Sequence, residues 1–159
     1  MDFNSYFNYP GKKIPEEGQH HFLDRYDEND WKKLLAYSEE FVVEPKGILI
    51  EEGTKHHSLC ILKKGSLGVF LKKKNKRPIQ VAYFSEGAVV GEMSFLDGGP
   101  AAATVMALSE SFVIRLHWEK FQQFLAQEPY LAFVLLHDVA TMVSKKLRTS
   151  NELLIKMGG

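Results

Sequence analysis

Residues 87–105 read Gly87-Ala88-Val89-Val90-Gly91-Glu92-Met93-Ser94-Phe95-Leu96-Asp97-Gly98-Gly99-Pro100-Ala101-Ala102-Ala103-Thr104-Val105. A strand ends at Val89-Val90, and Gly91, with no Cβ, lets the chain turn tightly. Glu92 to Leu96 has room for one helical turn. Asp97-Gly98-Gly99-Pro100 then stops the helix and returns the chain to a strand at Ala102. A short helix set between strands leaves the N–H groups of its first turn without intrahelical acceptors, which favours an anion there. Glu92, beside that end, is an acceptor suited to a sugar hydroxyl.

Outward from this segment, short apolar runs follow one another: Phe41-Val43, Ile48-Ile50, Leu59-Leu62, Leu67-Leu71, Ile79-Phe84, Ala103-Leu108 and Phe112-Leu116. Glycine, proline or charged residues separate them, as at Pro45-Lys46-Gly47, Gly53, Lys63-Lys64-Gly65 and Ser85-Glu86-Gly87. Many short strands with regular turn signals predict an all-β sandwich or barrel.

Helical periodicity lies on either side. Asn29 or Asp30 can cap a first helix carrying Trp31, Leu34 and Leu35. A second pattern begins at Trp118 and breaks at Glu128-Pro129. A long final helix follows from about Tyr130, with Leu131, Val134, Leu135, Val139, Met142, Val143 and Leu147 spaced by threes and fours. Asn151-Glu152 is a candidate interruption before Leu153, Leu154 and Met157. The fold expected is mainly β with flanking helices: a jelly-roll-like β-roll with an N-terminal helix and a long C-terminal helix. Residues 1–28 form an N-terminal arm, rich in aromatics (Phe3, Tyr6, Phe7, Tyr9), and residues 29–159 form the domain.

The segment 87–105 resembles the phosphate-binding cassette of the cyclic nucleotide-binding domain family, in which Gly-Glu and a short helix precede Pro-Arg-Ala-Ala-Thr. Gly91-Glu92, Pro100 and Ala102-Ala103-Thr104-Val105 match at the right spacing, and the likeness extends from about Phe41 to Leu154. The resemblance implies a β-roll with a C-terminal hinge and lid. It implies that Glu92 accepts from a ribose 2′-hydroxyl, and that N–H groups around Met93, Ser94 and Ala102 hold a cyclic phosphate alongside Ala103 and Thr104. The family's arginine position is Ala101 here. Arg115 lies at the wrong spacing to replace it and reads as an edge or surface residue. Truncating a buried charge partner costs about 2–5 kcal/mol, a loss on the order of thirty-fold to several thousand-fold. The ligand implied is a cyclic nucleotide (cAMP, cGMP or a cyclic dinucleotide), with cAMP and cGMP binding weakened or lost. On the last helix Ser144, Arg148 and Asn151 are candidate lid residues.

Other features point away from chemistry. Twenty Lys and Arg balance twenty Asp and Glu, so no basic excess favours nucleic acid. His56-His57 and His20-His21 are adjacent pairs, which on a strand face opposite ways and seldom share a metal ion. Glu51-Glu52 alternates faces in the same way and reads as solvated acids. No Ser-His-Asp or Cys-His spacing is assignable. Lys72 to Arg77 reads as a charged hairpin tip. Cys60, the single cysteine, sits in an apolar run and reads as a packing thiol in a reducing compartment. No secretory leader or spanning segment is evident, so the expected location is the cytoplasm. The chain stops at Gly159, and a recognition helix after the long helix is not expected.

The function expected is a stand-alone regulatory module, not an enzyme, acting through its C-terminal helix on a protein partner or by homodimerisation. The alternatives are a ligand-independent interaction module that keeps only the fold and, more remotely, a cupin-like enzyme.

Overall fold

A computed structural model describes residues 22–159 of the chain. The readings made for Phe3, Tyr6, Phe7, Tyr9 and His20-His21 lie outside the described residues. In chain order the elements are α1 (Glu28–Leu35), β1 (Glu39–Val43), β2 (Ile48–Ile50), β3 (Ser58–Lys64), β4 (Leu67–Lys73), β5 (Lys76–Phe84) and β6 (Val89–Val90), followed by α2 (Glu92–Asp97), β7 (Thr104–Ala107), β8 (Ser111–His117), α3 (Trp118–Gln127) and α4 (Pro129–Gly158). The strands form two antiparallel four-stranded sheets, ordered β1-β8-β3-β6 and β2-β7-β4-β5. This is the β-roll with flanking helices that the sequence predicts.

The run Leu59-Cys60-Ile61-Leu62 shows why the layers stack as they do. Side chains alternate faces along a strand. Leu59 and Ile61 join the helices in one apolar cluster, while Cys60 and Leu62 join the second sheet in another. The first sheet is therefore covered on both faces, and β3, paired between β8 and β6, reads as a continuous apolar run. The second sheet shields one face only, and most of β5 is exposed. Lys72 to Arg77 forms the tip of the β4–β5 hairpin. Lys73 pairs with Lys76, and Asn75 takes a left-handed φ of 59°, as asparagine readily does.

The first helix starts earlier than expected. Asp27 is its cap, accepting from the Asp30 N–H at 2.8 Å while the Asp30 carboxylate accepts from the Asp27 N–H. Asp30 thus closes a reciprocal capping box from inside the helix. The N-terminal segment is bound before that point. Leu23 and Tyr26 are buried, the Leu23 N–H donates to Asp138 Oδ2 at 2.7 Å, and the Tyr26 hydroxyl donates to the Leu131 carbonyl. Arg25 pairs with the buried Asp138 at 2.9 Å.

Pro129 begins α4, where its missing N–H costs nothing. The helix runs unbroken through Asn151-Glu152 to Gly158. Its sequence stripe divides in space. Leu131, Val134, Leu135 and Val139 are buried in the core and Met142 packs against it, but Leu147 is 61% exposed. Among the described residues no helix is long and apolar enough to cross a membrane.

Candidate functional site

Gly91 turns the chain from β6 into α2 with φ 82°. A Cβ there would stand 2.6 Å from the Ser58 carbonyl oxygen and 2.8 Å from His56 Cε1, so both the left-handed turn and the close approach require glycine. Gly98 ends α2 at φ 68°, its N–H reaching the Ser94 carbonyl at 2.9 Å. Asp97 Oδ1 accepts from the Gly99 N–H at 2.8 Å and holds the exit turn. Phe95 anchors α2. It is fully buried, with its ring edge-on to Trp118 at 5.2 Å and to Phe121 at 5.3 Å. Ala101 is fixed through its backbone, its N–H donating to the Thr54 carbonyl and its carbonyl accepting from the Gly53 N–H, both at 2.8 Å.

These pieces wall a cavity of about 670 Å³ between the second sheet, the cassette and α4. Of the residues singled out in the sequence, Gly91, Glu92, Met93, Ser94, Ala101, Ala102 and Ala103 line it together. Thr104 does not. Its hydroxyl accepts from the Glu52 N–H at 3.0 Å and ties β7 to the turn after β2. Glu52 itself sits in that turn and its carboxylate accepts from the Lys72 N–H at 2.9 Å, so it is a hairpin brace and not a free acid.

On α4 the cavity wall is made by residues other than the candidate lid positions. Lys145, Lys146, Thr149 and Ser150 line the cavity, whereas Ser144, Arg148 and Asn151 are exposed and outside it. At 100° per residue the latter three lie on the far side of the helix. Lys146 donates to Glu92 Oε1, and its ammonium lies 5.6 Å from the centre of the Phe84 ring. The helical spacing marked α4 as amphipathic, but nothing in the sequence tied a lysine to a glutamate fifty-four residues away.

Histidine and arginine placements are equally tertiary. His56 and His57 lie in the loop before β3, not on a strand. His56 lines the cavity, and its buried Nε2 has no hydrogen-bond partner among the described residues. Burial, with Arg115 nearby, holds its pKa below the usual imidazole value. His57 stacks on Trp118 at 5.1 Å. Arg115 is not an edge residue. It lies in β8, flanked by β1 and β3, with its guanidinium 4.4 Å over the Phe41 ring and outside the cavity wall.

One constellation that spacing could not reveal is Ser58–His117–Glu39. Ser58 Oγ is 2.7 Å from His117 Nδ1, and His117 Nε2 is 3.3 Å from Glu39 Oε2. The Ser58 hydroxyl is fully buried and donates to the His56 carbonyl at 2.7 Å. With its proton committed there, the facing ring nitrogen is the donor, and the trio braces β3 against β8 and β1. A nucleophile needs the opposite polarity and access to substrate.

A β-roll in which a glycine-capped short helix and a long C-terminal helix wall the same cavity is the architecture of a ligand-binding domain of the β-roll class. The model of the cyclic nucleotide-binding domain family matches residues 40–128, more than half of the chain, and the protein belongs to that family. Over 108 residues it is 26% identical to the cAMP-activated global transcriptional regulator CRP of Salmonella typhimurium, covering 67% of this chain and 50% of that one. It is 25% identical over 108 residues to the cAMP-dependent protein kinase regulatory subunit of Blastocladiella emersonii, covering 68% of this chain and 27% of that one. The chain thus spans half the length of the first relative and about a quarter of the second. In fold it is similar to the catabolite activator protein of Thermus thermophilus, with a TM-score of 0.76 at 18% identity, covering 86% of this chain and 62% of that one.

Proposed function

We propose that the chain is a cyclic nucleotide-binding regulatory module whose phosphate grip is weakened at Ala101 and whose output passes through α4. One observation carries the reading: the cassette and α4 wall the same cavity, with Lys146 of α4 paired to Glu92 of α2. A ligand seated there touches both elements at once. Any difference in its affinity for two positions of α4 becomes a shift of the helix. In this reading Glu92, which lines the cavity, accepts a ribose hydroxyl, and Gly91 supplies the turn that starts the cassette helix. The alanines leave apolar wall where a guanidinium would grip phosphate in two places. The location we propose is cytoplasmic, in keeping with a lone buried thiol.

Thermal melting with cAMP, cGMP and cyclic di-GMP tests this. A ligand at one hundred times its dissociation constant stabilises the folded state by about 2.7 kcal/mol, a clear rise in melting temperature. No rise with any of the three at millimolar concentration sinks the sensor reading.

A ligand-independent reading is favoured by a separate observation. Phe133, Ala140, Leu147 and Leu154 recur every seven residues along α4 and all are exposed. That spacing is one position of a coiled-coil heptad, and its simplest occupant is α4 of a second copy. The protein partner for such a module is likewise a proposal and rests on the same face.

A further inference from the structure

We infer that Lys146 is a specificity-determining residue: from α4 it supplies the positive charge that the cassette lacks at Ala101, so the cavity selects a monoanion with a hydroxyl beside its charged group. This rests on the reading of the cavity as a nucleotide site and adds the residue that meets the charge.

Three observations lead there. Among the described residues lining the cavity the cations are Lys145 and Lys146, and the one carboxylate is Glu92. Two lysines against one glutamate leave a single positive charge in excess, which suits a singly charged ligand. Arg115, the other cation of the roll interior, lies against Phe41 and lines no part of the cavity.

The second observation is the pair itself. Lys146 Nζ gives one donor to Glu92 Oε1. An ammonium has three donors and a carboxylate two acceptor oxygens, so each partner keeps capacity for a ligand. Donors for an anionic oxygen and an acceptor for a hydroxyl then lie within one side chain's width of each other. That pattern matches a hydroxyl vicinal to a charged ester, as on a ribose cyclic phosphate.

The third is the surrounding wall. Phe84 holds the ammonium over its ring face at 5.6 Å, and Val69, Val81, Val105 and the four lining alanines offer apolar surface for a flat body. A lysine grips as a mobile point charge, not as a planar fork. The site therefore binds more weakly than one with arginine at position 101, and its charge contact lies on the element that carries the output.

The test is calorimetric titration of cAMP into four proteins: wild type, Lys146→Ala, Ala101→Arg and the double variant. Circular dichroism confirms folding, and Lys146→Arg serves as the charge-conserving control. Losing a charge-assisted hydrogen bond lowers affinity by about tenfold or more, so Lys146→Ala does this in the Ala101 background. Once an arginine meets the phosphate, the same change costs less than about threefold. Lys146→Arg stays within about threefold of wild type. Unchanged or tighter binding by Lys146→Ala overturns the inference. So does an equal loss in both backgrounds, or a wild type that ignores cAMP while Ala101→Arg binds it. Silence in all four proteins overturns the proposed function, and this inference with it.

Discussion

Gly91 sits where backbone and packing make the same demand. At φ 82° a side chain is strained, and a Cβ would stand 2.6 Å from the Ser58 carbonyl oxygen. Left-handed strain in a non-glycine residue costs about 1–3 kcal/mol before any clash is relieved. Gly91→Ala is therefore expected to lose at least about 2 kcal/mol of stability in urea unfolding. A loss below about 0.5 kcal/mol, the scale of ordinary surface changes, would show that the turn relaxes freely. Gly91 and Glu92 were legible as a motif because each is local: a turn needs glycine, and the next residue follows it in space. Ala101 was legible in the same way, as the position where an arginine is expected and missing. Lys146 was not. Its meaning depends on a helix that folds back from the other end of the domain.

At the scale of elements, α4 shows what periodicity does and does not convey. The three-and-four spacing identified the helix, and Pro129 fixed its start. It did not say which residues meet the roll. Leu135 and Val139 are consumed by the core, and the row proposed as a seam, Phe133, Ala140, Leu147 and Leu154, is exposed. If that seam joins two copies, Leu147→Glu with Leu154→Glu turns a dimer into a monomer in sedimentation velocity. Both residues are more than half exposed in the single chain, so the monomer itself keeps its core and its far-ultraviolet circular dichroism. A wild-type protein that sediments as a monomer at high concentration refutes self-association. The candidate lid positions show the same limit of periodicity. Ser144, Arg148 and Asn151 share the helix with the cavity wall but lie on its other side.

Across the whole molecule the first sheet is the common wall of two apolar clusters, one shared with the helices and one with the second sheet. Cys60 lies in this sheet, in a strand paired on both sides, and is 1% exposed. Burial pushes its thiol pKa up, which lowers the thiolate fraction further. Labelling by a thiol reagent is expected only through opening of the sheet, so its rate should follow global stability across a denaturant series. Labelling of the native protein at the rate of a free thiol would contradict that packing. The alternation of strands and turns, the two flanking helical patterns and the cassette frame were all written in residues close in sequence, because hydrogen-bonding periods of two and 3.6 act over a few residues. Local patterns alone therefore specify a β-roll between helices and the family's cassette with an alanine in it. Long-range packing sets which face of α4 closes the cavity, that Lys146 meets Glu92, and that Arg115 turns to Phe41 instead. Those pairings join residues far apart in the chain, and they are set by packing one layer on another.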